Sequence, residues 1–262
     1  MNLQEMLDQA ATGTAHIEEG WGQGRATYGG LVAGLMHSRL RDQLPEGVTA
    51  PLRSLTVNFV APVAPGGADV DALILRSGKS ATQGLVTMRQ GDAVVAAGLA
   101  AFGASRESTI SVAPTAEMPQ LPAPETIDPF PYIAGMTPDF FQHVEMRLAD
   151  GNFPYSGAET SHMKGWMRFR EAPPVFDERH FVSLADSWPP AVIQMLDKPA
   201  PGSSLTWTLE LLDDVTAEPD THWAYAVETD LAGDGYAHTD ARIWHPDGRL
   251  VAISRQTVSV FG

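Results

Sequence analysis

Ser54-Leu55-Thr56-Val57-Asn58-Phe59 and Ser204-Leu205-Thr206-Trp207-Thr208-Leu209 are one strand written twice, with 150 residues between Ser54 and Ser204. Each copy opens Ser-Leu-Thr, alternates in polarity with the two-residue period of a half-buried strand, and follows a segment of helical character. Before the first copy, Tyr28-Gly29-Gly30-Leu31-Val32-Ala33-Gly34-Leu35-Met36-His37-Ser38-Arg39-Leu40 spaces its apolar residues as a helix does. Its small residues lie along one side, which predicts a buried helix with something packed close against it. Before the second copy, the stretch from Glu178 to Leu196 predicts the counterpart helix.

The match extends outward from these strands. Alternating runs at 51–63, 68–77, 81–90 and 93–104 follow the first helix, and runs at 204–212, 221–231, 236–245 and 249–261 follow the second. Further strands are predicted near 140–148 and 162–170. Ser77-Gly78-Lys79-Ser80 and Gln90-Gly91-Asp92 mark tight turns. Gly91-Asp92-Ala93-Val94-Val95-Ala96-Ala97 parallels Gly248-Arg249-Leu250-Val251-Ala252-Ile253-Ser254, and both halves close on Phe-Gly, at Phe102-Gly103 and Phe261-Gly262. Between 109 and 138, Pro114, Pro119, Pro122, Pro124, Pro129, Pro131 and Pro138 interrupt any regular ladder. The expected organisation is an N-terminal unit over 1–108, a Pro-rich linker over 109–138 and a C-terminal unit over 139–262, related by duplication.

Composition narrows the function classes. The 262 residues carry a formal net charge of −15, so nucleic acid and anionic membranes are excluded as partners, because phosphate contacts need a basic surface. There is no cysteine, which removes disulfides and thiolate nucleophiles. The start Met1-Asn2-Leu3-Gln4-Glu5-Met6 lacks a basic region followed by an apolar stretch, and a cytoplasmic location is expected. Gly78-Lys79-Ser80 is read as a hairpin turn and not a phosphate loop, since Leu73 stands where the first glycine of that loop belongs. Gly22-Gln23-Gly24-Arg25-Ala26-Thr27 misses the dinucleotide fingerprint at Thr27. The eight histidines form no metal-ligand spacing, and neither a metal nor a cofactor is expected.

Tyr28-Gly29-Gly30, Ser54 to Phe59, Leu75-Arg76-Ser77-Gly78-Lys79-Ser80, Arg89-Gln90-Gly91, Ala101-Phe102-Gly103 and Asp247-Gly248 through Ser254-Arg255-Gln256 together resemble, in order and spacing, the acyl-CoA thioesterase II (TesB-like) family. The resemblance implies an α+β double hotdog: two antiparallel sheets, each wrapped around a long helix and joined edge to edge. It also implies hydrolysis of acyl-CoA to a free acid and coenzyme A, and a homo-oligomer, dimer or higher. The family's catalytic Asp, hydroxyl and Gln fall on Asp186, Ser204 and Gln256, with no cofactor. Ser203 and Thr206 are neighbouring hydroxyls that compete with Ser204, and Thr206 joins Gly29 and Gly30 as an expected substrate-binding residue. A backbone N–H near Gly29 and Gly30 would serve as an oxyanion donor where no Cβ blocks approach.

These groups suit the reaction, since a carboxylate accepts a proton from water while a hydroxyl and an amide fix its position. Read without the resemblance, Asp186 just before Pro189-Pro190 serves equally as a helix cap, Ser204 as an ordinary strand-start serine like Ser54, and Gln256 as a partner for a core backbone group. The first half has no matching set, with Ala100 taken as the counterpart of Gln256, so a single active site is expected. Arg76, Lys79, Arg168, Arg170 and Arg179 are candidate contacts for the coenzyme A phosphates, or simply solvated. The competing readings are a non-catalytic acyl-CoA-binding or assembly protein and an enoyl-CoA hydratase; Asp186-Ser187-Trp188-Pro189-Pro190 contains no histidine to pair with the Asp, which disfavours the hydratase.

Overall fold

The computed structural model describes residues 1–261; Gly262, the last position of the predicted C-terminal unit, lies outside the described residues. In chain order the elements are α1 (Leu3–Ala11), β1 (Thr14–Ile17), β2 (Gly22–Gln23), β3 (Ala26–Thr27), α2 (Gly29–Asp42), β4 (Leu52–Phe59), β5 (Gly66–Ser77), β6 (Ala81–Gln90), β7 (Ala93–Gly103), β8 (Val144–Gly151), β9 (His162–Phe169), α3 (Glu178–Leu184), β10 (Gly202–Leu211), β11 (Trp223–Gly233), β12 (Tyr236–Trp244) and β13 (Leu250–Val260). Eleven of the strands form one antiparallel sheet in the order β1-β5-β6-β7-β4-β10-β13-β12-β11-β9-β8, while β2 and β3 make a separate hairpin.

The repeated strand is the seam of that sheet. β4 and β10 pair antiparallel, with Thr206 opposite Asn58, Trp207 opposite Val57, Thr208 opposite Thr56, Leu209 opposite Leu55 and Glu210 opposite Ser54. Val57 and Trp207 are equivalent positions of the repeat and also face each other, so a pseudo-twofold axis passes between them. Leu55, Val57, Trp207 and Leu209 turn to the core at 0% exposure, whereas Thr56 Oγ1 and Thr208 Oγ1 meet at 3.1 Å on the outer face. The two expected sheets are thus joined edge to edge at this seam, which spares each half an unpaired apolar edge strand.

The helices fill the concave side. In α2, Gly30 to Ser38 and Leu40 are all buried, as its sequence predicts. Its small residues admit α3: a Cβ at Gly34 would lie 1.9 Å from Ser183 Oγ, and one at Gly30 would lie 2.4 Å from Ser183 O. The predicted 178–196 helix is shorter than expected. α3 ends at Leu184, residues 186–190 break the helical path, and Ala191–Met195 resumes as a 3-10 turn. Pro189 and Pro190 bring no N–H to continue an α-helical ladder. The strand expected from Phe140 begins instead at Val144, since Asp139–Gln142 forms a 3-10 turn. α1 was not foreseen, although Asn2 and Glu5 form a capping box at its start.

Residues 116–127 run across the outer face of the C-terminal half. Ala116, Met118, Leu121 and Ile127 pack on Trp166, Ala224 and Trp244, and Trp166 Nε1 donates to Pro122 O at 2.9 Å. No helix among the described residues is long and apolar enough to cross a membrane.

Candidate active site

The break after α3 sets Asp186 against the first turn of α2. Gln256 Nε2 donates to Asp186 Oδ1 at 2.5 Å, Ser204 Oγ donates to Gln256 Oε1 at 2.7 Å, and the Gly30 N–H donates to the same Asp186 carboxyl. The carboxyl, amide and hydroxyl singled out in the sequence therefore form one unbroken chain. Asp186 caps no helix: the N-cap of α3 is Asp177, and that of the 3-10 turn is Pro190. Gly29 stands so close that a Cβ there would lie 2.6 Å from Asp186 Oδ2.

A bulge in β10 decides which hydroxyl joins. Ser204 pairs with Val258 and Thr206 with Thr257, leaving Leu205 between them without a partner in β13. In an unbroken strand Ser204 and Thr206 would share a face and Trp207 would turn away. The inserted residue instead puts Ser204 on the face of Trp207 and Gln256, and sends Thr206 to the outer face with Thr208. Thr206, expected as a substrate-binding residue, is thus separated from the site by the sheet itself. Ser203 is exposed and its Oγ donates to Ser204 O.

Burial pushes the Asp186 carboxyl up to about 7, outweighing the donors on Gln256 and Gly30 that favour its charged form. A carboxyl held there is close to half ionised at neutral pH and can both take and return a proton. Tyr28 and Tyr225 are pushed above the usual phenol range, chiefly by burial and then by the charge of Asp186. Tyr28 donates through its OH to Ser183 O at 2.7 Å, and Tyr225 stacks on Trp188 with 5.2 Å between centroids. With Phe59, whose ring flanks Gly29, these aromatics surround the carboxyl with apolar surface. Sequence reasoning gave Tyr28, Phe59 and Tyr225 no role beside the carboxyl. The available signal was Tyr28 itself, which occupies a helix N-cap where Ser, Asp or Asn is usual.

The pseudo-twofold repeats this geometry without its chemistry. Gly34 and Ser183 meet on the axis, which exchanges Asp186 with His37 and Gly29 with Glu178. There His37 Nε2 lies 2.9 Å from Glu178 Oε1, and Glu178 Oε2 accepts the Leu52 N–H at 2.8 Å. Gly98 faces Val57 as Gln256 faces Trp207, so the counterpart of Gln256 is Gly98 and not Ala100, as the sequence alignment had it. The unpaired residue of β7 opposite β6 is Val95, that of β13 opposite β12 is Val251, and β13 runs two residues further than β7 from there to the seam pairing, which displaces that alignment.

Three of the candidate phosphate contacts are engaged within the fold. Arg168 donates to Glu145 at 3.0 Å, Arg170 lies 3.9 Å from it, and Arg179 is bound to Asp177 and Asp8. Burial opposes the charge on Glu145, but Arg147, Arg168 and His222 hold its carboxyl down at about 2. Arg76 and Lys79 are exposed at the end of β5 and in the turn after it.

Residues 17–103 match the family model of the acyl-CoA thioesterase N-terminal domain, and residues 124–260 match that of the acyl-CoA thioesterase C-terminal domain. No curated protein matches the chain significantly. Among solved structures, a conserved protein of unknown function with a hot dog fold from Alicyclobacillus acidocaldarius superposes with a TM-score of 0.84 at 24% identity, covering 98% of each chain. The acyl-CoA thioesterase II TesB2 of Mycobacterium marinum gives 0.72 at 19% identity, over 99% of this chain and 98% of that one. The tesB protein of Mycobacterium avium subs paratuberculosis gives 0.77 at 14% identity over the whole of both chains. These likenesses establish the double hotdog fold.

Proposed function

We propose a reaction from the premise that these matches supply: this chain belongs to the acyl-CoA thioesterase family. It is a thioester hydrolase. Its substrate is an acyl-CoA, which it splits into a free acid and coenzyme A, and Asp186, Gln256 and Ser204 hold and activate the water that attacks.

The observation that carries this reading is the hydrogen-bond chain from Ser204 through Gln256 to Asp186, ending on a carboxyl near neutrality. Because Ser204 gives its proton to the amide, its oxygen lone pairs are left to accept from a water molecule. The Gln256 amide is fixed in orientation by its two partners and keeps both neighbours in place. Asp186 takes a proton from that water as the oxygen adds to the thioester carbonyl carbon, and the carbonyl π electrons move onto its oxygen. Collapse of the tetrahedral adduct breaks the C–S bond, and the proton passes from Asp186 to the departing sulfur. Negative charge on the adduct oxygen is met by the N-terminus of α2 at Gly29, where backbone N–H groups and the helix dipole converge. The Gly30 N–H is spent on Asp186, which leaves Gly29 as the oxyanion donor of the two.

The test is thiol release from a series of acyl-CoA lengths by the native chain and by Asp186→Asn. Activity on at least one length, reduced 100-fold or more in the variant, is the expected result. Full activity in the variant would overturn the role of Asp186.

A further inference from the structure

Gln256 is not the last polar side chain on its row of the sheet. It pairs with Thr239 of β12, and Thr239 pairs with Thr229 of β11, so the row that starts at Trp207 in the seam continues through all three on the inner face. Thr239 is 7% exposed, and Thr229 Oγ1 is buried with no hydrogen-bond partner among the described residues. Thr239 makes no side-chain hydrogen bond among them either, and the Gln256 amide beside it is engaged by Ser204 and Asp186. A buried hydroxyl without a partner destabilises a fold, and valine fills nearly the same space without that cost.

The internal repeat serves as a control. The pseudo-twofold exchanges Trp207 with Val57 and Gln256 with Gly98, and from Gly98 the equivalent row runs through Val86 of β6 to Ala72 of β5. Val86 is 0% exposed and Ala72 packs on the core. The fold therefore builds this row from apolar side chains where no catalytic chain stands beside it. Hydroxyls replace them in the half that holds Asp186, and they answer to something bound there.

Distance and burial identify which part of the substrate this is. Neighbouring strands lie about 4.8 Å apart, so Thr239 and Thr229 stand about 5 and 10 Å across the sheet from Gln256. An extended acyl chain with single bonds near 1.5 Å gains about 1.3 Å per carbon, which sets these two distances at roughly the fourth and the eighth carbon. The charged nucleotide of coenzyme A stays in water, so the arm of the thioester that enters a buried row is the acyl chain. On the hydrolase reading above, we infer that Thr239 and Thr229 select an acyl chain bearing an oxygen, hydroxyl or carbonyl, near its middle. A threonine hydroxyl both donates and accepts, so either group completes it, whereas a plain chain lays methylenes against two unpaired hydroxyls.

Thiol release from decanoyl-CoA and from 7-hydroxydecanoyl-CoA tests this on the full chain. The native protein is expected to show kcat/KM roughly 10-fold or more higher on the hydroxylated chain. Thr239→Val combined with Thr229→Val is expected to bring the two substrates within about twofold, by losing rate on the hydroxylated chain and not on the plain one. Calorimetric binding of both thioesters to Asp186→Asn is expected to give the same order of affinity without turnover. A chain that hydrolyses neither substrate and still binds the hydroxylated one more tightly would sink the catalytic assignment and support this one, so the two failures are separable. Equal use or equal binding of the two substrates by a chain with both threonines would overturn the proposal. So would valine variants that lose both substrates in equal measure, a result that would put the threonines on the pantetheine arm.

Discussion

Asp186 Oδ1 accepts the amide proton of Gln256 at 2.5 Å, while burial holds the same carboxyl up at about 7. The two facts pull in opposite directions, since the amide donor favours the charged form and burial disfavours it. Burial wins, and the result is a base whose protonation changes across neutral pH. Activity of the native chain is expected to rise along an acid limb with a midpoint near 7, measured as kcat/KM by thiol release. A limb centred near 4 would mean that the carboxyl is not the titrating base.

The same shift has a stability cost of known sign. The folded pKa of about 7 exceeds the ordinary carboxyl value of 3.8, so the native state binds more protons than the unfolded one between those limits. Stability conferred by the protonated carboxyl is complete below pH 3.8 and is lost as the pH rises through 7. Asp186→Asn is therefore expected to match the native chain near pH 4 and to exceed it above pH 7 by on the order of 2 to 4 kcal/mol in urea unfolding, while losing activity. A variant less stable than the native chain at pH 8 would contradict this.

Much of the site was legible only through the family resemblance, since residue type alone leaves Asp186 a helix cap, Ser204 a strand-start serine and Gln256 a partner for core backbone. Asp186, Ser204 and Gln256 were picked out along the chain and do meet. Thr206 was misplaced because nothing in Ser203-Ser204-Leu205-Thr206 announces the bulge that turns it to the outer face. The seam was visible only as a repetition; that β4 and β10 pair with each other follows from the dyad and not from either strand's own pattern. The break in α3 was readable at Pro189-Pro190, and the helix was nonetheless extended past it. Partners of long sequence separation, such as Tyr28 on Ser183 and His37 on Glu178, leave no local trace.

The bulge yields a sharp contrast between neighbouring hydroxyls. Ser204→Ala removes the lone pairs offered to water and is expected to lower kcat by roughly 10- to 100-fold, within the range for a positioned polar group. Thr206→Val, on the other face of the sheet, and Ser203→Ala, at the exposed strand end, are expected to leave kcat within about twofold. Equal losses at 204 and 206 would show that the register inferred here does not persist when substrate is bound.

Gly29→Ala probes the approach of the two helices at the site. The residue is helical, so alanine suits the backbone, but its Cβ would lie 2.6 Å from Asp186 Oδ2 and 3.0 Å from the Phe59 ring. The carboxyl is the movable partner, and displacing it breaks the contact with Gln256 before it disturbs the core. The expected outcome is at least a 10-fold loss of kcat with a melting temperature close to that of the native chain. A fully active Gly29→Ala would mean that the Asp186 tip is not held where catalysis needs it.

At the equivalent place across the dyad the pair is structural. His37 is wholly buried and Glu178 largely so at 15% side-chain exposure, with Arg41 3.9 Å away and the Leu52 N–H donating to the carboxylate. Burial opposes the charge on Glu178, but His37, Arg41 and that N–H together hold its pKa below the ordinary value of 4.5. The depressed carboxylate stabilises the fold above 4.5, and the contribution is lost as pH falls through the lower folded value. Glu178→Gln leaves His37 facing a neutral group and is expected to cost about 3 kcal/mol at pH 7 in urea unfolding, with the gap to the native chain closing in acid. Its hydrolytic rate should be retained below the melting transition, because His37 and Glu178 contribute no group to the Ser204–Gln256–Asp186 chain. A variant of native stability that has lost activity would reverse the assignment and make this the working half of the dyad.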